Sequence, residues 1–258
     1  MKKKYTVFTL LFMVVLFTVK AQNATSSDYY QLTIYHCKDA SQEMAVHHYL
    51  EKAHVPALHK MGLSHIGVFV SNDSLKQHDV YVVTPSKSLD TLANLNTMLL
   101  QNGTYIWESK NFREASYKNP NYERLEVILL KAFDDYPSIT TPALTSARAD
   151  RVYELRSYES SSWNYHINKV KMFNKGDEIS IFKQLQFHPV FFASVISGSH
   201  MPNLMYLTAH DDMKAREAHW NAFGNDAKWK DLSGQKYYQN NVSHINITFL
   251  HPTSYSDL

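Results

Sequence analysis

The amino-acid sequence predicts an α+β fold built from two β-α-β-β-α-β units in tandem, and three observations carry the prediction. The chain repeats itself: "YYQLTIY" (29–35) aligns with "VYELRSY" (152–158) at a shift of 123 residues. The same shift sets Leu58 on Ile181, His65 on His188, residues 67–70 on 190–193 and residues 80–83 on 203–206. Agreement in order and spacing over four segments marks a duplication, which has to be recognised before fold is argued. Each half also reads in the same order: a β-branched and aromatic strand, a helical stretch, two strands, a second helical stretch and a last strand. The last strands are "RLEVILLKAF" (124–133) and "HINITFLHP" (244–252). Finally, "VFFASVI" (190–196) is apolar at nearly every position, so both of its faces should be dry.

Taken in order, the chain opens with Lys2 to Lys4, an apolar run from Tyr5 to Val19, and Val19-Lys20-Ala21. Charge, short apolar stretch and small residue make a secretory signal over residues 1–21, cleaved after Ala21; the run is too short for a membrane span. No later stretch is long and apolar enough to cross a bilayer, so a soluble, secreted or periplasmic protein is expected. The first unit covers 28–134. Residues 135–150, with two prolines and many small polar residues, read as an exposed linker. The second unit covers 151–258. Its first helix should bury a stripe of Trp163, Ile167, Val170 and Phe173, and Asp177 and Glu178 should open a further turn. Asp211 or Asp212 is placed to cap the next helix. That helix should bury Met213, Ala215, Ala218, Trp220, Ala222 and Phe223 and turn Lys214, Arg216, Glu217 and Asn221 to water. Gly224 ends it, and Asp226 starts a short helix carrying Trp229.

The β-α-β-β-α-β order is the ferredoxin-like arrangement, with both helices on one face of an antiparallel sheet. The bare face needs a cover, and two such halves can cover each other sheet to sheet, giving a pseudo-dimeric barrel in one chain.

Composition excludes several functions. Of 26 Lys and Arg, four (2, 3, 4 and 20) fall in the leader, against 24 Asp and Glu, so the remainder is close to neutral and lacks the electrostatic footprint for nucleic acid. Cys37 is the one cysteine, so no intrachain disulfide is possible; it reads as a small buried hydrophobe. Asn-x-Ser/Thr triplets at Asn23, Asn72, Asn102, Asn241 and Asn246 matter only if the source cell glycosylates. Seven glycines form no phosphate-cradling loop, and no Gly-x-Ser-x-Gly motif occurs. His47, His48, His54 and His59 lack metal-site spacing, because Pro56 interrupts the path to His59, and read as exposed histidines. No motif calls for a cofactor.

"VYELRSY", followed about fifty residues later by "MPNLMYLTAHDDMKAREAHWNAFGNDAKWKDL", resembles the NIPSNAP family. The matching positions are Tyr153, Glu154, Leu155, Arg156 and Tyr158, Asp211 or Asp212, Ala215-Arg216, and Asp226 with Trp229. The resemblance covers about 151–252; in the first half Gln31 and Thr33 stand in place of Glu154 and Arg156. It implies the dimeric α/β-barrel fold, and it brings no catalytic residues.

Along "VYELRSY", strand alternation puts Tyr153, Leu155 and Ser157 on one face and Val152, Glu154, Arg156 and Tyr158 on the other. If the first face meets the helices, Glu154, Arg156 and Tyr158 point between the sheets, where His188, Tyr206 and Asn246 could join them in a ligand pocket. A desolvated guanidinium is a strong bidentate donor to an anion or carbonyl; equally, Glu154 and Arg156 could neutralise each other and serve packing. Three functions follow: a module binding a small molecule or partner; a cofactor-free or haem-dependent monooxygenase or isomerase, on analogy of fold alone; or a protein–protein interaction unit with a filled barrel. The absence of a catalytic motif favours the first.

Overall fold

The computed structural model describes residues 27–73 and 76–258. The leader, with its cleavage after Ala21, and Asn23 lie outside the described residues.

The first half supplies strands β1 (Tyr29–His36), β2 (Gly67–Ser71), β3 (Val80–Ser86) and β4 (Arg124–Ala132). Helices α1 (Ala40–Tyr49) and α2 (Val55–Lys60) lie between β1 and β2, and the short α3 (Leu89–Ala93), α4 (Leu95–Leu99), α5 (Gly103–Glu108) and α6 (Lys110–Arg113) between β3 and β4. The second half repeats the order with β5 (Val152–Glu159), α7 (Trp163–Asn174), α8 (Glu178–Gln184), β6 (Pro189–Ser197), β7 (Asn203–His210), α9 (Met213–Asn225), α10 (Ala227–Gly234) and β8 (His244–Pro252).

The eight strands close into one barrel in the order β1-β3-β2-β8-β5-β7-β6-β4. Every neighbouring pair is antiparallel, so β1, β2, β5 and β6 run one way and the other four run back. The halves join at two seams, Phe69–Ser71 of β2 on residues 250–252 of β8, and residues 129–132 of β4 on residues 193–197 of β6. Closure removes the free edges that a lone four-stranded sheet would expose along these seams.

Alternation along each strand sends one set of side chains into the barrel, and that space is full. Tyr30, Leu32, Phe69, Tyr81, Leu130, Tyr153, Leu155, Phe191 and Leu207 are buried there together. Tyr30 meets Phe191 with ring centroids 5.0 Å apart and Phe69 meets Tyr153 at 4.8 Å. Fully burying each such side chain contributes about 1.5–3 kcal/mol. The C-terminal Leu258 joins this cluster, with Ile139 and Leu144 packed against it. Arg148 fixes that terminus by donating from Nη1 to the carbonyls of Thr253, Ser256 and Leu258 at 2.7–3.1 Å. The expectation that β6 is dry on both faces holds over Val190–Ala193, where Phe191 and Ala193 point inward and Phe192 packs outward with Phe173, Phe182 and Tyr206 under the helices, but not at its end, where Ile196 is exposed.

Several local expectations are corrected. Residues 135–150 are not simply exposed, since Tyr136 is buried and donates to the Pro189 carbonyl at 2.6 Å. The predicted stripe of α7 holds only in part: Phe173 is buried and Val170 packs on the core, but Trp163 and Ile167 are exposed, and His166, Lys169 and Met172 are buried in their place. Lys169 can turn inward because its ammonium reaches Glu178 at 2.9 Å; Glu178 opens α8 after Asp177, as expected, and is buried there as the ion-pair partner. His54 is buried and bonds the Tyr49 hydroxyl at 3.1 Å. A π-helical turn over Leu50–His54 carries the backbone past Pro56, which lacks an N–H, and so joins α1 to α2. Cys37 is only half-buried, and burial together with the carboxylates of Asp79 and Glu43 pushes its thiol up to about 12, which leaves it unreactive.

Candidate functional site

The facing assumed for β5 is reversed. Tyr153 and Leu155 point into the barrel, whereas Glu154, Arg156 and Tyr158 point outward beneath α9. A pocket between the sheets lined by these residues is therefore excluded: a strand's period of two defines two faces, but only the partner layer decides which is inside.

Helix α9 is set by Asp212, whose carboxylate accepts the Ala215 N–H at 2.6 Å as its N-cap. From that start Arg216, Trp220 and Phe223 fall on one side at steps of four and three, facing the sheet. Arg216 therefore does not face water, contrary to the sequence expectation. Glu154, with no exposed surface, accepts from Arg156 Nε at 2.6 Å, from Arg216 Nε at 2.8 Å and Nη2 at 3.0 Å, and from Trp220 Nε1 at 2.8 Å. The Arg156 guanidinium stacks on the Trp220 ring at 3.7 Å and donates from Nη1 to the Tyr158 hydroxyl at 3.0 Å, which also receives the Tyr206 hydroxyl at 2.8 Å. Burial alone would raise the Glu154 carboxyl, but Arg216, Arg156 and Trp220 outweigh it and hold it below the usual carboxylate range.

Two arginines against one carboxylate leave this group with one excess positive charge. Arg156 Nη2 and Arg216 Nη1 each lack a protein acceptor among the described residues. Arg216 also lies over the Phe249 ring at 5.1 Å, with its side chain 19% exposed. Beside it the outer face of β8 is bare. Ile247 pairs with Arg156 and Ile245 with Tyr158, and both isoleucines are more than 40% exposed. The corresponding strand of the first half, β4, likewise exposes Leu125 and Val127, but there Gln31 and Thr33, bonded to each other at 3.1 Å, replace the charged pair of β5.

On the other side of Glu154 lie two histidines, His210 and His219. His210, fully buried, sits with Nε2 3.9 Å from Glu154 and 3.3 Å from the Thr208 hydroxyl. Its Nδ1 meets His219 Nδ1 of α9 at 2.9 Å, which requires one ring to donate and the other to accept. Burial pushes His210 down to about 3, helped by His219, Arg216 and His188 against the pull of Glu154, and burial and His188 lower His219 as well. A histidine depressed in the folded state contributes stability above its unfolded pKa of about 6.5, and this is lost as pH falls toward 3. The protein is thus expected to lose about 2 kcal/mol through His210 alone between pH 6.5 and pH 5. Urea unfolding at the two pH values checks this; His210→Asn should flatten the slope, and an unchanged slope would contradict the assignment.

Of the six residues singled out from sequence, Glu154, Arg156, Tyr158 and Tyr206 come together in this one network. His188 stands apart, in the loop before β6, near enough to His210 and His219 to depress both. Asn246 is exposed on β8, opposite Ser157 of β5, where it donates to Glu159 at 3.3 Å and meets His244 at 3.2 Å. Arg216, Trp220, His210 and His219 were not among the six; the four-residue step from Arg216 to Trp220 was the available signal, hidden by assigning every charge on α9 to water.

Residues 153–257 match the NIPSNAP family. Across the whole chain the architecture is that of dimeric α/β-barrel proteins. A monooxygenase-like protein from Lactobacillus acidophilus superposes with a TM-score of 0.57 at 11% identity, covering 88% of this chain and 94% of that one. A second from Fusobacterium nucleatum gives 0.57 at 10% identity over 88% and 93%. An anthrone oxidase-like protein gives 0.55 at 9% over 89% and 93%. At such identities the likeness shows the fold alone. No curated protein matches the chain.

Proposed function

Since the second half of this chain is a NIPSNAP domain within a single-chain dimeric α/β barrel, we propose that the protein is an exported, non-catalytic binding module that holds a small amphipathic anion at Arg156 and Arg216, outside the barrel. The observation that carries the reading is the pair of guanidinium nitrogens without an acceptor among the described residues, on a group with excess positive charge, beside the bare Ile245 and Ile247. Two forks held by one carboxylate are pre-positioned for an oxyanion, and the bare strand face would take its apolar part. The filled barrel supports an outer site rather than an inner one. The Glu154 carboxylate is saturated with donors, and this supports holding a ligand over transforming it. Export rests on the charge and apolar run of residues 2–19, and a mature N-terminus at Gln22 is its check.

Octanoate is a suitable probe. Calorimetric titration should show saturable binding, weakened about tenfold or more by Arg216→Gln, the size of one lost charged hydrogen bond. Absence of saturable binding, or binding undiminished in Arg216→Gln, would reject the arginine site.

A further inference from the structure

The repeat leaves a second feature unexplained. His65 and His188 occupy equivalent positions, each just before the second strand of its half, and both adopt left-handed backbone, with φ of 59° and 44°. Gln186 does so too, at 61°. Non-glycine residues rarely take this conformation, and where the fold enforces it the site is often functional. Each histidine lines a cleft against residues 138–143, of about 570 Å³ at His65 and 540 Å³ at His188.

The two clefts differ in charge. At His65 the lysine, Lys87, is paired with the buried Asp28, and Ser64 occupies His65 Nδ1 at 3.0 Å. At His188 the lysine is Lys183, held 4.9 Å over the Tyr136 ring, with no carboxylate partner among the described residues. Thr140, Thr141 and Gln186 add hydrogen-bonding groups, Pro142 and Pro189 add apolar wall, and no Asp or Glu lines the space. The groups behind His188 are the imidazoles of His210 and His219 and the carboxylate of Asp211. Asp211 Oδ1 is already occupied by the backbone N–H groups of Thr145 and Ser146, both at 2.8 Å.

We propose that the cleft between Thr140–Thr141 and Lys183–His188 is a binding site for a small oxyanion on a compact apolar body, a phosphate monoester or a carboxylate, with Lys183 as the charge partner and His188 and the threonines as hydrogen-bonding partners. The site is separate from Arg156 and Arg216, and its existence does not depend on them. Phenyl phosphate and benzoate, titrated into the full chain and followed by calorimetry, distinguish the two sources of the oxyanion. At least one should bind saturably. Lys183→Gln should weaken that binding about tenfold or more, Lys183→Arg should largely keep it, and Lys87→Gln in the twin cleft should leave it unchanged. Lys183 is exposed, so its replacement does not endanger folding. Failure of both probes to bind, an unaffected Lys183→Gln, or an equal loss in Lys87→Gln would overturn the proposal; a loss in Arg216→Gln alone would transfer the probe to the arginine site.

Discussion

Replacing Glu154 by leucine is expected to destabilise the protein by about 3–5 kcal/mol, the usual consequence of removing one partner from a buried ion pair. The carboxylate is fully buried and receives four N–H bonds from Arg156, Arg216 and Trp220. Leucine would leave two guanidinium groups facing each other over an apolar side chain, one of them clamped against the Trp220 ring. The first half shows the compensated alternative, with Gln31 and Thr33 at the same two positions. The double variant Glu154→Gln, Arg156→Thr should therefore recover part of the loss, since one of the stranded cations goes with it. Urea denaturation of the three proteins checks this. A loss below about 1 kcal/mol in Glu154→Leu would mean that both arginines escape to water, and the network would not be what anchors α9.

The second large effect is expected at Lys169 and Glu178. Both side chains are at most 5% exposed, and the ammonium is also 4.6 Å over the Phe173 ring. Burial raises the Glu178 carboxyl against the opposing pull of Lys169, so Lys169→Met would let Glu178 take up a proton and soften the damage. Glu178→Leu has no such relief and should cost about 3–5 kcal/mol. Combining Lys169→Met with Glu178→Leu should return stability to within about 1–2 kcal/mol of the wild type or above it, because neither charge then has to be desolvated. A double-mutant cycle measures the coupling, and simple addition of the two single losses would contradict a direct buried pair.

The order of strands and helices was legible because the repeat shift of 123 preserves it, and β3 and β7 begin at the very positions, Val80 and Asn203, that the shift equates. Caps were legible too: Asp212 and Asp226 accept the N–H groups of Ala215 and Trp229, since a cap is decided within four residues. What failed was long-range. Whether Glu154 or Leu155 faces the barrel depends on a helix sixty residues later that supplies Arg216 and Trp220. Trp163 looked buried because apolar spacing alone marked it, whereas the buried place goes to Lys169, whose partner Glu178 sits on another helix. Arg216 was assigned to water for want of a visible partner, which is where sequence periodicity carries least information.

The central claim is that the barrel is closed to ligands and that recognition happens outside it, on Arg156, Arg216 and the face of β8. Side-chain NMR under octanoate titration addresses this most directly. Shifts are expected in the guanidinium signals of Arg156 and Arg216 and in the methyl groups of Ile245 and Ile247, while those of Leu32, Leu130 and Leu155 stay still. Movement of the three leucines with the arginines and isoleucines unmoved would put the ligand between the sheets and contradict it.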